Sequence, residues 1–113
     1  MGYILLHNPR CSKSRAALAL LEEQKARFEV REYLKEPLSL DELRILKKRL
    51  GRPATEWLRW GQDEAKALRR DATDMELLQA MAKHPILIER PILIKGDRAL
   101  VGRPGPEALE PML

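Results

Sequence analysis

The sequence has one cysteine, Cys11, in 113 residues. Neither an internal disulfide nor a zinc site built from several cysteines can therefore form. The first ten residues lack a basic region followed by an apolar stretch and a cleavage site, so we expect no signal peptide. A lone thiol without an export signal is typical of a reducing compartment, and we expect a cytoplasmic protein. Any redox reaction at Cys11 must take its second thiol from another molecule.

Long apolar runs and aromatic residues are also scarce. No stretch approaches the ~20 apolar residues of a membrane-spanning helix, so we expect no membrane partner. Five aromatic residues, a net charge of only +4 and the lack of a basic run disfavour nucleic-acid binding. The mild positive excess is compatible with a small anionic substrate.

The apolar pattern predicts a single α/β domain over residues 1–113. The run at 3–6 predicts a buried strand, and residues 12–24 predict a helix. Alternation over 27–33, with Phe28 and Val30 inward, predicts a second, half-buried strand. Strand, helix and strand in so short a stretch favour a right-handed parallel crossover.

The middle of the chain, about residues 38–84, is predicted to be entirely helical. Two serine or threonine residues precede a glutamate by three positions, which is the spacing of a capping box. These pairs are Ser39 with Glu42 and Thr73 with Glu76. Gly51 and Pro85 mark helix ends.

Shorter helical segments are expected between these two helices and at the end of the chain. One begins at Pro53 and contains Trp57 and Leu58, another covers 63–68, and a last one covers 107–113. We also expect Met75, Leu78 and Met81 to form a buried stripe.

The apolar segments on either side of Gly96-Asp97 predict a β-hairpin. The whole is then a mixed four-stranded sheet with a helical insert between strand 2 and the C-terminal hairpin.

Cys11 is the first candidate for chemistry because it lies between a strand and the expected start of a helix. Free amides and the helix dipole stabilise an anion there, which lowers a thiol pKa and favours the nucleophilic thiolate. Arg10, Lys13 and Arg15 add positive charge, and His7 lies four residues upstream. The alternative, a buried structural cysteine, stays open.

Three arginines in separate segments, Arg59, Arg90 and Arg103, are the second candidate. Converging guanidinium groups hold oxyanions well, although each arginine alone is typical of a solvated surface charge. Arg90-Pro91 precedes a strand, where either a cis peptide or an ordinary edge-strand proline is compatible with the sequence. No residues have defensible metal-ligand spacing, so we expect no metal.

Four segments resemble the ArsC family of glutaredoxin-coupled arsenate reductases. Residues 7–15 resemble its active-site loop His-Asn-Pro-x-Cys-x-x-Ser-Arg, and residues 84–92 resemble its block His-Pro-x-Leu-Ile-x-Arg-Pro-Ile. Trp57-Leu58-Arg59 and Val101-Gly102-Arg103-Pro104 are similar to its other two arginine segments.

This resemblance implies a thioredoxin-like fold and a reaction in which Cys11 attacks arsenate. Glutathione, as co-substrate, would resolve the adduct and release arsenite, and glutaredoxin would clear the mixed disulfide. The resemblance also implies roles for nine residues: Cys11 as nucleophile, His7 keeping the sulfur ionised, Arg59, Arg90 and Arg103 in catalysis and oxyanion binding, Ser14 and Arg15 in substrate binding, and Asn8 and Pro91 shaping the site.

The chain departs from the best-known pattern in two places. Ser12-Lys13 stands where Gly-Thr is usual, which resembles a YfgD-like branch, and the 62–74 segment is shorter than in typical relatives. Two other functions stay open. One is a glutathione-linked thiol oxidoreductase with another substrate. The other is a Spx-like, non-enzymatic regulator that binds RNA polymerase, which Ser14 disfavours by standing where a Cys-x-x-Cys switch has its second cysteine.

Overall fold

The computed structural model describes residues 2–113 and contains four strands and three α-helices. Their bounds are β1 (Tyr3–Leu6), α1 (Ser12–Glu23), β2 (Phe28–Arg31), α2 (Leu40–Leu50), α3 (Asp74–Lys83), β3 (Ile92–Lys95) and β4 (Arg98–Val101). Four 3-10 helices connect or follow them, at Ala54–Glu56, Asp63–Ala65, Pro85–Leu87 and Pro106–Met112.

The strands form one sheet in the order β2-β1-β3-β4. β1 is parallel to β2, as the crossover through α1 requires, and β3 is antiparallel to both β1 and β4. Gly96 opens the hairpin turn with a φ of 60°, a conformation that glycine adopts without steric cost. The mixed four-stranded sheet with a helical insert, predicted from the sequence, is confirmed.

The two faces of the sheet are covered differently because side chains alternate along each strand. Tyr3 and Leu5 pack on α1 and the last 3-10 helix, where the Tyr3 hydroxyl donates to the Met112 carbonyl at 2.6 Å. Leu6, Ile92 and other residues of the opposite face pack against the helical insert. Each fully buried leucine or isoleucine contributes roughly 2 kcal/mol, so both layers stabilise the sheet.

The insert begins with the expected capping box. Ser39 Oγ accepts from the Glu42 amide at 3.1 Å, and the Glu42 carboxylate accepts from the Ser39 amide at 2.9 Å. Gly51 ends α2 in the left-handed conformation. The second predicted box is only half formed: Thr73 Oγ1 accepts from the Glu76 amide, but the Glu76 carboxylate meets the Thr73 hydroxyl instead of its amide.

Some of the expected helices and buried residues were wrong. Trp57 and Leu58 lie outside the 3-10 helix because Leu58 pairs with Ile88 in an isolated antiparallel bridge. The segment expected over 63–68 is helical only at Asp63–Ala65. Met75 is exposed, and Leu77 takes its place in the core.

The second strand also differs from its prediction. It ends at Arg31, so Tyr33 lies beyond it and is fully buried in the core. Val30 is 42% exposed because β2 is an edge strand of the sheet. Within residues 2–113, no helix is both long enough and apolar enough to cross a membrane.

Arg31 joins β2 to the start of α2 through a two-bond ion pair with the Glu42 carboxylate. The hydrogen bond from Arg31, helped by the Ser39 amide, lowers the pKa of Glu42 from 4.5 to about 2. Since the folded pKa lies below the unfolded one, this contribution is fully present above pH ~4.5 and is lost as pH falls toward 2.

We therefore predict that Glu42→Gln is less sensitive to acid than the wild type. Between about pH 6 and about pH 3, the wild type should lose more of its free energy of unfolding, by on the order of 0.5 kcal/mol because the pair is partly exposed. Urea denaturation at both pH values measures this. Asp41→Asn, on the same helix turn, is the control and should follow the wild type. Equal losses in all three proteins would contradict the prediction.

Candidate active site

Cys11 is the N-cap residue of α1, in the extended conformation that precedes a helix. A tight loop holds it there: the Cys11 amide donates to the Asn8 carbonyl at 3.0 Å, and Asn8 Oδ1 accepts from the Arg10 amide at 3.0 Å. Arg15 Nη1 donates to the Pro9 carbonyl at 2.9 Å. Asn8 thus shapes the loop, and Arg15 stabilises it from the outside.

The environment of the sulfur favours a thiolate. Burial is the largest single influence and raises the pKa of Cys11, but the combined opposing influences lower it from its ordinary value. These are hydrogen bonds from the backbone amides of Ser14 and Lys13 and the positive charge of Arg90. The amides are the free donors of a helix N-terminus. Lys13 therefore acts on the sulfur through its backbone, while its side chain is exposed.

Behind the sulfur, Ser14 and His7 form a buried polar pair. Ser14 is fully buried, its Oγ accepts from the Asn8 amide at 3.0 Å, and its hydrogen bond with His7 Nδ1 measures 2.6 Å. Burial, with help from the charge of Arg15, lowers the pKa of His7 although Glu32 opposes it. His7 is consequently a neutral imidazole near pH 7, and it connects to Cys11 through Ser14. The Ser14 hydroxyl is occupied within the protein.

Arg90 and Tyr33 bring unpaired hydrogen-bonding groups to the site. Arg90 Nε and Nη1 and the Tyr33 hydroxyl are buried without a hydrogen-bond partner among residues 2–113. Burial raises the pKa of Tyr33 to about 12. The charge of Arg90 acts to lower this pKa, and the charge of Cys11 acts to raise it. Tyr33 is thus a protonated donor at neutral pH. Buried donors without partners are uncommon in folded proteins and are often functional.

Arg103 makes a direct side-chain contact with the nucleophile, with Nη2 3.7 Å from Cys11 Sγ. Its Nε donates to the Arg90 carbonyl at 2.8 Å. The Arg103 loop lies close to Pro91: the Gly102 amide donates to the Pro91 carbonyl at 2.8 Å, and a Cβ at Gly102 would meet the Pro91 ring at 2.7 Å. Only glycine fits there. The Arg90-Pro91 and Arg103-Pro104 peptide bonds are both cis.

Arg59 reaches the same region because its segment pairs with the one before Arg90. The Arg59 amide donates to the Leu87 carbonyl at 2.7 Å, and the Glu89 amide donates to the Trp57 carbonyl at 3.0 Å. The Glu89 carboxylate lies between two guanidinium groups, with Oε1 3.8 Å from Arg59 Nε and 3.5 Å from Arg103 Nε. The Gln62 amide, with its oxygen toward Arg59, accepts from Nη1 at 2.8 Å and Nη2 at 3.1 Å.

The structure therefore brings the three predicted arginines together. Arg103 contacts the sulfur, Arg90 acts on it electrostatically, and Arg59 is linked to Arg103 through Glu89. Residues 2–113 contain no group of three or more His, Cys, Asp or Glu side chains that could hold a metal ion.

Three residues of this region were missed in the sequence. Glu89 occupies a variable position of its motif, Tyr33 was assigned to the end of a strand, and Gln62 lies in an irregular loop. Of the three, only Glu89 could have been identified from the sequence. It is an acidic residue directly beside Arg90, a predicted oxyanion-binding arginine, and its negative charge is unexpected there.

A groove lies elsewhere, between α2 and the β1-β2 side of the sheet. It encloses about 410 Å³ and is lined by Ile4, Val30 and Ile45 among others, but by none of the residues around Cys11. It has no nucleophile and no cluster of unpaired donors, so we do not assign the active site to it.

Fold and site together define a thioredoxin-like α/β protein with one cysteine at the N-terminus of its first helix. The sequence model of the ArsC family matches residues 6–110. The arsenate reductase of Haemophilus influenzae is 42% identical, with 97% of this chain and 98% of that one aligned. The YfgD protein of Escherichia coli is also 42% identical, over 94% and 92% of the two chains.

A solved structure gives the same result. The arsenate reductase from Vibrio cholerae superposes with a TM-score of 0.90 at 40% identity, covering 97% of both chains. The chain belongs to the ArsC family, and the expected thioredoxin-like fold is confirmed.

We predict that Ser14→Ala destabilises the protein by about 2 kcal/mol, because it leaves the buried Asn8 amide and the His7 ring without their partner. Chemical denaturation measures the change. Ser12→Ala, two residues away and exposed, is the matched control and should change the free energy of unfolding by less than about 0.5 kcal/mol. Similar stability of the two variants would show that the Ser14 hydroxyl does not anchor the loop.

We also predict that Arg90→Gln raises the pKa of the Cys11 thiol, since a positive charge beside the sulfur is removed. The pH dependence of alkylation by iodoacetamide measures it. The exposed Arg10→Gln, adjacent to the cysteine in sequence, should leave the profile unchanged. A profile that moves equally in both variants would point to general surface charge instead.

Proposed function

We propose that this protein is an arsenate reductase with Cys11 as its nucleophile. The position of the sulfur supports this best: it lies at the start of α1, has a lowered pKa, and is 3.7 Å from Arg103 Nη2. Arg90 adds two buried, unpaired N–H donors beside it. Such a site stabilises a thiolate and a tetrahedral oxyanion next to each other. The names of the Haemophilus influenzae and Vibrio cholerae relatives support arsenate as that oxyanion.

In the first step the Cys11 thiolate attacks arsenic. A sulfur–arsenic bond forms, and one arsenate oxygen leaves as water after taking up protons from solvent. Arg59, Arg90 and Arg103 bind the remaining oxygens and spread their charge. Ser14 contributes its amide to the sulfur before the attack, and Arg15 keeps the loop in shape, so both support substrate binding indirectly.

In the second step a glutathione thiolate attacks Cys11 Sγ. A disulfide forms, and the electron pair of the sulfur–arsenic bond stays with arsenic, which is reduced from As(V) to As(III) and leaves as arsenite. The two electrons come from the two thiols. A glutaredoxin thiolate then attacks the glutathione sulfur and frees Cys11. An external thiol is needed because the sequence has one cysteine. No step requires a metal or a bound cofactor.

The test is an arsenate-reduction assay with glutathione and glutaredoxin, run on the wild type and on Cys11→Ser. We expect turnover in the wild type and none above background in the variant, whose hydroxyl is a far weaker nucleophile. Circular dichroism confirms that the variant is folded. Equal turnover in both proteins would exclude Cys11 as the nucleophile.

Two further arms separate the substrate from the redox partners. Omitting glutaredoxin should stall the cycle with one glutathione bound to Cys11, which intact-protein mass spectrometry detects. The second arm treats the wild type with oxidised glutathione. If Cys11 forms the mixed disulfide by exchange with it, yet the protein never reduces arsenate, the protein is instead a glutathione-linked thiol enzyme with another substrate.

A further inference from the structure

The carboxylate of Glu89 lies among the arginines to which the oxyanion is assigned. One oxygen, Oε1, is 3.8 Å from Arg59 Nε, 3.5 Å from Arg103 Nε and 3.3 Å from the Arg90 amide, which donates to it. An anion of the protein thus already lies within ion-pair distance of two of the arginines. Its side chain is 26% exposed, so it lies at the edge of the site and not in the apolar core.

The position of Glu89 is fixed by the backbone. Its amide donates to the Trp57 carbonyl, and the bridge between Leu58 and Ile88 holds the two segments antiparallel. The neighbouring arginines are held as well, Arg103 by the Arg90 carbonyl and Arg59 by Gln62. The charge of Glu89 therefore stays beside the arginines when a substrate binds.

We propose that Glu89 is a specificity-determining residue that limits how much negative charge the site accepts. In the free protein it neutralises part of the repulsion between Arg59 and Arg103. In the complex it repels the bound oxyanion, and a doubly charged anion is repelled twice as strongly as a singly charged one at the same distance. Glu89 thereby weakens the binding of the dianion more than that of the monoanion. This inference rests on the proposed oxyanion site.

The test replaces Glu89 with glutamine in a Cys11→Ser background, which removes both the reaction and the titration of the thiol. Glutamine retains an oxygen that can accept from the Arg90 amide, so the substitution removes charge and preserves shape. The other titratable or charged groups around the site are Tyr33, which stays protonated, the arginines, and His7, which contacts Ser14 behind the sulfur and is the same in every variant compared. Glu23→Gln, at the far end of α1, removes the same charge elsewhere and is the matched control.

Isothermal titration with sulfate, a dianion throughout, and with arsenate at about pH 5.5 and about pH 8.5 measures the effect. We expect Glu89→Gln to bind sulfate, and arsenate at the higher pH, roughly 5-fold more tightly. The gain for arsenate at the lower pH, where it is mostly a monoanion, should be roughly 2-fold. Glu23→Gln should change neither affinity.

A gain that is equal for both charge states, or weaker binding throughout, would overturn the inference and leave Glu89 as a simple positioning residue. If the Cys11→Ser protein binds neither anion, the proposed function fails with it. If the Cys11→Ser protein binds both anions and Glu89→Gln leaves both affinities unchanged, this inference is overturned while the proposed function stands. A measurement without a substitution at Glu89 supplements these. Sulfate should shift the NMR signals of the guanidinium N–H groups of Arg59 and Arg103, and unchanged signals would show that the anion does not bind beside them.

Discussion

The arrangement of the site depends on balancing like charges. Arg59, Arg90 and Arg103 come together in a partly buried region, where guanidinium groups repel one another more strongly than in water. Two groups of the protein offset this repulsion. One is Cys11, whose surroundings favour the thiolate and whose Sγ lies 3.7 Å from Arg103 Nη2, and the other is the Glu89 carboxylate between Arg59 and Arg103. Thiolate and arginines stabilise each other, so neither the lowered pKa of Cys11 nor the closeness of the arginines is explained by one partner alone.

The fold supplies the rigidity that this balance requires. Cys11 follows β1, the central parallel strand, and α1 presents its free amides to the sulfur. The arginines lie in loops, but each loop is fastened by backbone pairing: the segment around Leu58 to that around Ile88, and Gly102 to Pro91. Long arginine side chains lose considerable entropy when they are fixed. Hydrogen bonds to the Arg90 carbonyl and to Gln62 offset part of that loss.

Local sequence patterns predicted the regular helices and strands well. They failed for residues whose surroundings are determined by tertiary contacts. β1 and the Ser39 capping box follow from short-range pattern and hydrogen bonding. Val30 and Trp57 do not, because sheet order and a pairing with a segment some 30 residues away decide their surroundings. At the site, the position of Cys11 directly before a predicted helix was enough to indicate a reactive thiol. The convergence of the arginines and the part played by Glu89 depend on long-range pairing, which composition and periodicity do not reveal.

The features that stabilise the thiolate also bear on how the proposed cycle ends. A thiol with a low pKa is a weaker nucleophile per thiolate but a better leaving group. Cys11 combines a lowered pKa with 9% exposure, and backbone amides at the start of α1 stabilise its thiolate form. In a mixed disulfide with glutathione, Cys11 would therefore be the favoured leaving sulfur, and an incoming thiolate would reach the exposed glutathione sulfur first. Attack there frees Cys11 in its reactive form, so the same helix N-terminus serves both the start and the end of the cycle.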